Sequence, residues 1–521
     1  MKVVKRSGAT MSWLPAIVTL AGFALFAQEA DRPIDPPNVV FILADDLGYG
    51  DLDLQLGGID VFANPYVRTP NLARLAAQSL VFTHHYASAP VCSPSRAGLL
   101  TGRIPGRYNI PIWIRDTRDD DQIFLPGKAT TIPELLKGAG YQTAVFGKWH
   151  LNGADWEQRA NWTGWTGSFP NQQGFDEAMV SKENPHESRK LLHNAQRNPG
   201  DFFLADDEAV GQPMGAIKGF SSSIIVDAAL KWLSARDQEK PFFLYLPFDA
   251  VHEKVENPEA FNTLFDSGDI DKNKYYGNVA YLDAQIGRVM DFLYAHQLDE
   301  QTIVFFSSDH GPEVWNVYRN AIHSFGSSAP LFGQKRQLYE GGIRVPGIVR
   351  WVGKIDPGVS SLPNSTLDVL PTLCELAGVE IPREVEPDGV SLVPHLLERQ
   401  DVQRTQPLYW QNTLREHWRT VGAGYDRRYD GAQPTKTPTP VAAVRQGSYV
   451  LRGFLRDEAA ARPSIFQLHD VVLDVEESVE LSQFEPTRFE SMKAELLRLW
   501  DSVNSEAEGV RREIAQRVDQ R

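Results

Sequence analysis

From residue 38 onward, short unbroken apolar runs alternate with longer stretches whose apolar residues recur at helical spacing. A strand inside a parallel sheet has helices on both its faces, so it reads as a continuous apolar run rather than as an alternation. The pattern therefore predicts an α/β fold built on a parallel sheet covered by helices. The residues just past each run are more informative. Val39 to Leu43 leads into Asp45-Asp46, and Thr143 to Phe146 into Lys148 and His150. Phe242 to Leu246 leads toward His252, and Ile303 to Phe306 into Asp309-His310. Ligands of open α/β sheets lie beyond the carboxyl ends of the strands, so these four clusters are expected to share one crevice.

The pattern fades between about residues 400 and 440, where Pro434-Thr-Lys-Thr-Pro-Thr-Pro440 reads as a connection. Regular structure resumes with a hairpin over Ala443 to Arg452, a strand over Ser464 to Leu468 and an amphipathic helix from Phe489 to Val503. This gives a main domain over residues 36–400, a C-terminal subdomain over 401–505 and a polar tail over 506–521, with no internal repeat. At the N-terminus, Lys2, Lys5 and Arg6 precede an apolar run from Trp13 to Ala27, the layout of a secretory signal peptide spanning residues 1–27. Export to a periplasm or beyond is the reading, with an uncleaved anchor as its alternative. No later segment resembles a membrane span, so stable membrane insertion is not expected after cleavage.

Composition narrows the function classes. Hydrophobic residues at 42% and charged residues at 23% of 521 describe a folded chain, and a net charge of −15 argues against nucleic acid as a partner. Cys92 and Cys374 allow at most one disulfide, too few for a disulfide framework in a chain of this length.

The segment Val91-Cys-Ser-Pro-Ser-Arg-Ala-Gly-Leu-Leu-Thr-Gly-Arg103 carries a helix-start signal, with Ser93 as cap, Pro94 at the first helical position and Gly102 near the end. Cys92 then sits at a helix N-terminus, where free N–H groups and the dipole favour an anion, and Arg96 adds a charge one turn in. Taken alone, such a cysteine reads as a buried structural residue or a low-pKa thiol. The whole segment, however, resembles without a gap the sulfatase signature Cys-x-Pro-Ser-Arg followed by Thr-Gly-Arg. That resemblance implies that a maturation enzyme oxidises Cys92 to formylglycine, whose hydrate supplies the nucleophile.

Two adjacent carboxylates at the end of a buried strand repel one another and lose hydration, which calls for a hard cation. Asn38 to Asp51 resembles the first metal-binding strand of sulfatases, and Ser307-Ser-Asp-His-Gly-Pro312 the second. The resemblance makes Asp45, Asp46, Asp309 and His310 metal ligands, joined by the modified Cys92. Many family members carry Asn where this chain has His310, which leaves Mg2+ and Mn2+ beside Ca2+ as candidates. Gly147-Lys148-Trp149-His150-Leu151 resembles the sulfatase Gly-Lys-Trp-His block, placing Lys148 on the sulfate and His150 on the formylglycine hydrate. Pro247 to Glu253 resembles the segment whose histidine, here His252, reaches the leaving oxygen. Gln334-Lys335 with Tyr339-Glu-Gly-Gly-Ile-Arg-Val-Pro346 matches another block and puts Lys335 on the sulfate, its glycines suggesting a close backbone approach.

The family implies an alkaline-phosphatase-like domain with a mixed, largely parallel sheet between helices, plus a smaller C-terminal α+β subdomain with a short antiparallel sheet. The expected substrate is a sulfated carbohydrate or an aryl sulfate. Two rivals stand beside this: a phosphomonoester or phosphonate monoester hydrolase of the same superfamily, and a non-catalytic glycan-binding homologue. His84, His85 and His323 lack metal spacing and read as structural or surface residues. Trp113, Trp149, Trp156, Trp162 and Trp165 read as core or as sugar-stacking groups, and Asn161 and Asn364 begin glycosylation triplets.

Overall fold

The computed structural model describes residues 35–519 apart from 57–58, 65, 115–123, 152–168, 182–201, 205–211, 214–219, 254, 256, 315–323, 413–438 and 456–461. The expected signal peptide, Trp156, Asn161, Trp162, Trp165 and His323 lie outside the described residues. Strand β1 (Asn38–Ala44) runs through the middle of the main sheet and is buried along its whole length. The pleat sends successive side chains to opposite faces. Val40, Ile42 and Ala44 accordingly enter one core, while Val39, Phe41 and Leu43 enter another. That two-sided burial explains the unbroken apolar run.

Six further strands complete the body of the sheet: β2 (Leu80–Tyr86), β3 (Gln142–Lys148), β4 (Glu177–Ser181), β5 (Phe242–Pro247), β6 (Thr302–Ser308) and β7 (Arg344–Arg350). Their spatial order is β2-β7-β6-β1-β5-β3-β4, with short strands added at both edges. From β6 through β4 every pairing is parallel, with Val39 opposite Ile303 on one side and Phe243 on the other. Strand β7 is antiparallel to both β6 and β2, so the sheet is mixed and largely parallel. The four runs singled out in the sequence are four adjacent parallel strands, and the topology carries their carboxyl ends to one edge. Because β2 runs the same way as β6, the chain leaving Tyr86 toward Cys92 arrives at that edge as well.

Helices α1 (Cys92–Thr101) and α4 (Val369–Leu376) supply Leu99, Leu100, Leu370 and Leu373 to the second core. Helices α2 (Ser221–Ala235) and α3 (Ile270–Ala295) cover the first with Ile225, Leu233, Val279 and Leu293. Cys374 is buried in α4, and both cysteines are free, so no disulfide joins them. Asn364 is buried between the Leu362 carbonyl and His85, which removes it as a glycosylation site. His84 and His85 are structural: both are buried in β2, and His85 reaches Ser307 on the other side of its ring.

A second, antiparallel sheet has the order β8 (Leu408–Gln411), β9 (Ala442–Gln446), β10 (Tyr449–Phe454), β11 (Ile465–Asp470). Helix α5 (Pro486–Asp519) covers one face with Met492, Leu496, Leu499, Trp500 and Val503 against Val444, Leu451 and Leu468. The spacing of those five positions is one helical stripe. The opposite face, with Leu408, Trp410, Ala443 and Val450, packs on Leu338 and Ile343 of the main body. Helix α5 also runs through the segment expected as a polar tail, where Val510 and Ile514 pack on Phe124. Both sheets belong to one compact unit, Pro37–Arg521. No helix among the described residues is long and apolar enough to cross a membrane.

Candidate active site and metal centre

Cys92 is the first residue of α1, two positions earlier than the capping signal suggested, with Val91 in extended conformation as the cap. Ser93 is not the cap because its hydroxyl accepts the Ile114 N–H at 2.9 Å. Gly102 ends the helix at φ 64°, the left-handed position that a residue without Cβ takes at least cost.

The carboxylates and cations expected in one crevice do meet there. Asp45 and Asp46 follow β1, and Asp309 follows β6, with the Asp46 N–H 3.3 Å from Asp309 Oδ1. Lys148, the last residue of β3, places Nζ 2.5 Å from Asp45 Oδ2. Lys335 places Nζ 2.6 and 2.8 Å from the two oxygens of Asp46. Arg96 donates from Nε and NH2 to Asp309 Oδ2 at 3.1 and 2.9 Å, and from NH1 to the Lys148 carbonyl at 2.9 Å. All six side chains are buried, three anions against three cations. Gly147 makes this approach feasible: a Cβ there would lie 2.0 Å from the Pro247 carbonyl oxygen, so only glycine lets β3 and β5 come together beneath Lys148.

Histidine geometry identifies which nitrogens face the centre. His310 Nδ1 lies 2.9 Å from the Gly311 carbonyl, which can only accept, so Nδ1 carries the hydrogen and Nε2 presents a lone pair. That Nε2 stands 3.2 Å from Cys92 Sγ and 3.4 Å from both Asp46 Oδ1 and Asp309 Oδ1. Cys92 Sγ is also 3.7 Å from Asp45 Oδ1. Asp45, Cys92, Asp309 and His310 thus offer donor atoms all within 4.8 Å of one another. Buried carboxylate oxygens with one bare imidazole nitrogen form a donor set that suits a hard or borderline divalent ion. His252 turns Nδ1 to the Glu253 carbonyl and Nε2 toward Asp46 Oδ2 at 3.8 Å, on the rim of the same cluster. His150, two residues beyond Lys148 at φ 55°, directs Nε2 to the Ile114 carbonyl at 3.0 Å rather than to Cys92.

Burial sets the protonation of the cluster. It pushes the Asp46 carboxyl up to about 6 against the pull of Lys335, and neighbouring Asp45 adds to the rise. Burial likewise pushes the Cys92 thiol up; Lys148 and Lys335 pull it down by more than Asp45 and Asp309 raise it, but do not cancel the effect of burial. The unmodified thiol is therefore a poor source of thiolate, and the low-pKa cysteine reading loses its basis. For Lys335 and Arg96 burial opposes the charged form, but their acidic neighbours, led by Asp46 and Asp309 respectively, together overcome it and hold both cations protonated.

Three charged neighbours had no assigned role in the sequence. Arg336 pairs with Glu313 at 2.6 Å, both buried, and lies 5.9 Å from the ring centre of half-buried Trp113. Glu253 is buried, neither carboxyl oxygen has a hydrogen-bond partner among the described residues, and burial reinforced by Glu313 pushes it up to about 9. Adjacency to His252, Lys335 and Pro312 was the one signal that could have marked them. Trp149 is core, edge-on to Phe175 at 5.9 Å.

A sequence model described as Sulfatase matches residues 37–379. N-acetylgalactosamine-6-sulfatase of Sus scrofa is 34% identical over 396 residues, covering 73% of this chain and 69% of that protein. The crystal structure of Ps i-CgsB aligns with a TM-score of 0.71 at 23% identity, over 92% of this chain and 97% of that one. The phosphonate monoester hydrolase of Agrobacterium radiobacter aligns with a TM-score of 0.62 at 19% identity, over 90% and 96%. Both structural likenesses speak to the fold.

Proposed function

Since the chain belongs to the sulfatase family and hydrolyses sulfate esters, we propose that its substrate is a sulfated carbohydrate, cleaved in an exported compartment at a centre built from Cys92 and a divalent ion. The observation that carries this reading is the position of Cys92 at a helix N-terminus, with its Sγ against His310 Nε2 and Asp45 and with Arg96 one turn behind. The relatives named for sulfate on an amino sugar support the carbohydrate class. A calcium ion, or Mg2+ or Mn2+, would be held by Asp45, Asp46, Asp309 and His310. Together with the hydrate of formylglycine at position 92, which a maturation enzyme would make, that ion would supply an oxygen nucleophile of lowered pKa.

The chain's own residues do the rest. In net terms R–O–SO3− and water give R–OH and hydrogen sulfate, with the S–O bond to the sugar broken. Lys148 and Lys335 are the cations able to turn from Asp45 and Asp46 to the sulfuryl oxygens once a metal neutralises those carboxylates, and they stabilise charge where it grows. Arg96 keeps to Asp309 and fixes its orientation. His252, anchored through Nδ1, offers Nε2 as the site from which a proton passes to the departing oxygen. His150 spends its Nε2 on Ile114, so Nδ1 is the nitrogen with which it would accept a proton.

The deciding experiment compares release of sulfate and phosphate from matched esters of the same sugar, using the wild type and Cys92→Ala. Sulfate release that vanishes in the variant supports the reading. Preferential phosphate or phosphonate release would transfer the chain to the rival hydrolase class, and sugar binding without turnover to the glycan-binding class.

A further inference from the structure

Lys335 lies on a long stretch, from Ser324 to Tyr339, that has neither helix nor strand among its described residues. Such a segment holds a side chain in place only if its backbone is tied. The Lys335 N–H donates to the Pro312 carbonyl at 3.1 Å, and the Arg336 N–H to the Pro90 carbonyl at 2.8 Å, two residues before Cys92. Arg336 stands at φ 74°, a conformation that costs a residue with a Cβ free energy and persists where surroundings enforce it.

The enforcement comes from the C-terminal sheet. Asn412, directly after β8 and buried, donates from Nδ2 to the Arg336 carbonyl at 2.7 Å. Behind it, Arg452 of β10 donates from Nε to the Leu338 carbonyl at 2.6 Å and pairs with Glu477. Glu477 in turn accepts the Glu340 N–H at 2.8 Å. One residue, Arg336, is thus gripped on its N–H by the loop leading to Cys92 and on its carbonyl by the second sheet. We propose that Asn412 is a positioning residue for the reaction: its bond to Arg336 fixes the left-handed turn that presents Lys335 to the substrate oxyanion. This rests on the sulfatase reading above.

The test is a double-mutant cycle on the full chain with Asn412→Ala and Lys335→Met, measuring kcat and KM on an aryl sulfate and, separately, binding of inorganic sulfate by calorimetry. Asn412→Ala is expected to lower kcat/KM and weaken sulfate binding by about tenfold, the weight of one buried hydrogen bond, with the melting temperature little changed. In the Lys335→Met background the same change should cost nothing further. Equal losses in both backgrounds would overturn the proposal, because a residue acting on general stability does not need Lys335. If Asn412→Ala does not fold, Asn412→Ser keeps a donor of shorter reach, and the same cycle decides. A wild type that binds sulfate but turns over no ester speaks against the sulfatase reading, and the binding cycle still judges Asn412.

Discussion

Arg96 grips a single oxygen of Asp309: both of its hydrogen bonds to that carboxylate, 3.1 Å from Nε and 2.9 Å from Nη2, go to Oδ2. The other oxygen, Oδ1, is left to the Asp46 N–H and to the space before His310 Nε2. The arginine therefore orients the carboxylate, and only one of the two oxygens faces the candidate metal site.

Breaking that pair strands a buried charge. Arg96→Met should lower the stability of the chain by about 3–5 kcal/mol in urea unfolding and abolish ester hydrolysis. A variant as stable as the wild type would mean that Asp309 finds another partner or loses its charge without cost.

Metal removal should act on stability and activity together. Chelation followed by dialysis is expected to silence the enzyme and lower its melting temperature. Adding back Ca2+, Mg2+ or Mn2+ at a hundred times its dissociation constant should restore about 3 kcal/mol. The ion that restores turnover at the lowest concentration identifies the native metal. Unchanged melting with and without every divalent ion would speak against Asp45, Asp46, Asp309 and His310 as a ligand set.

Lys148 and Lys335 each lie on a different carboxylate, the first reaching the crevice from the end of β3 and the second from a loop. Lys148→Met and Lys335→Met should each reduce kcat/KM by roughly 10²–10³, as the loss of one oxyanion contact does. Loss confined to one of the two would assign the oxyanion to that lysine alone.

Glu253 supplies a pH signature. Its carboxyl is raised from 4.5 to about 9, so the folded chain keeps a proton that the unfolded chain releases. Stability from this group is complete below about 4.5 and is lost as pH climbs toward about 9. In metal-depleted protein, Glu253→Gln should flatten that decline and be more stable than the wild type at the alkaline end of the window. Parallel stability curves for the two proteins would show that Glu253 ionises in the fold.

Much of the site was legible because each cluster is local in sequence: a strand fixes its own carboxyl end, and Asp45-Asp46, Lys148, His252 and Asp309-His310 sit just past four such ends. Strands β2 and β7 were not: Thr83, His84 and His85 interrupt the apolar run in β2, and Pro346 and Gly347 do so in β7. The start of α1 was misplaced because Ser93 has a capping side chain whose oxygen is claimed by Ile114, a partner no local rule reveals. Beyond Val503, the helix is set by a few contacts such as Val510 and Ile514 with Phe124, too sparse to show as periodicity. The bonds that join Asn412 to Arg336 and Arg452 to Leu338 span the two sheets and leave no local trace.

The central claim is that Cys92 is the precursor of the nucleophile, and the mass of the tryptic peptide Leu75 to Arg96 from enzyme made in its native host tests it directly. The account predicts that the cysteine CH2SH has become CHO in active protein. Active enzyme carrying only unmodified Cys92 would contradict it.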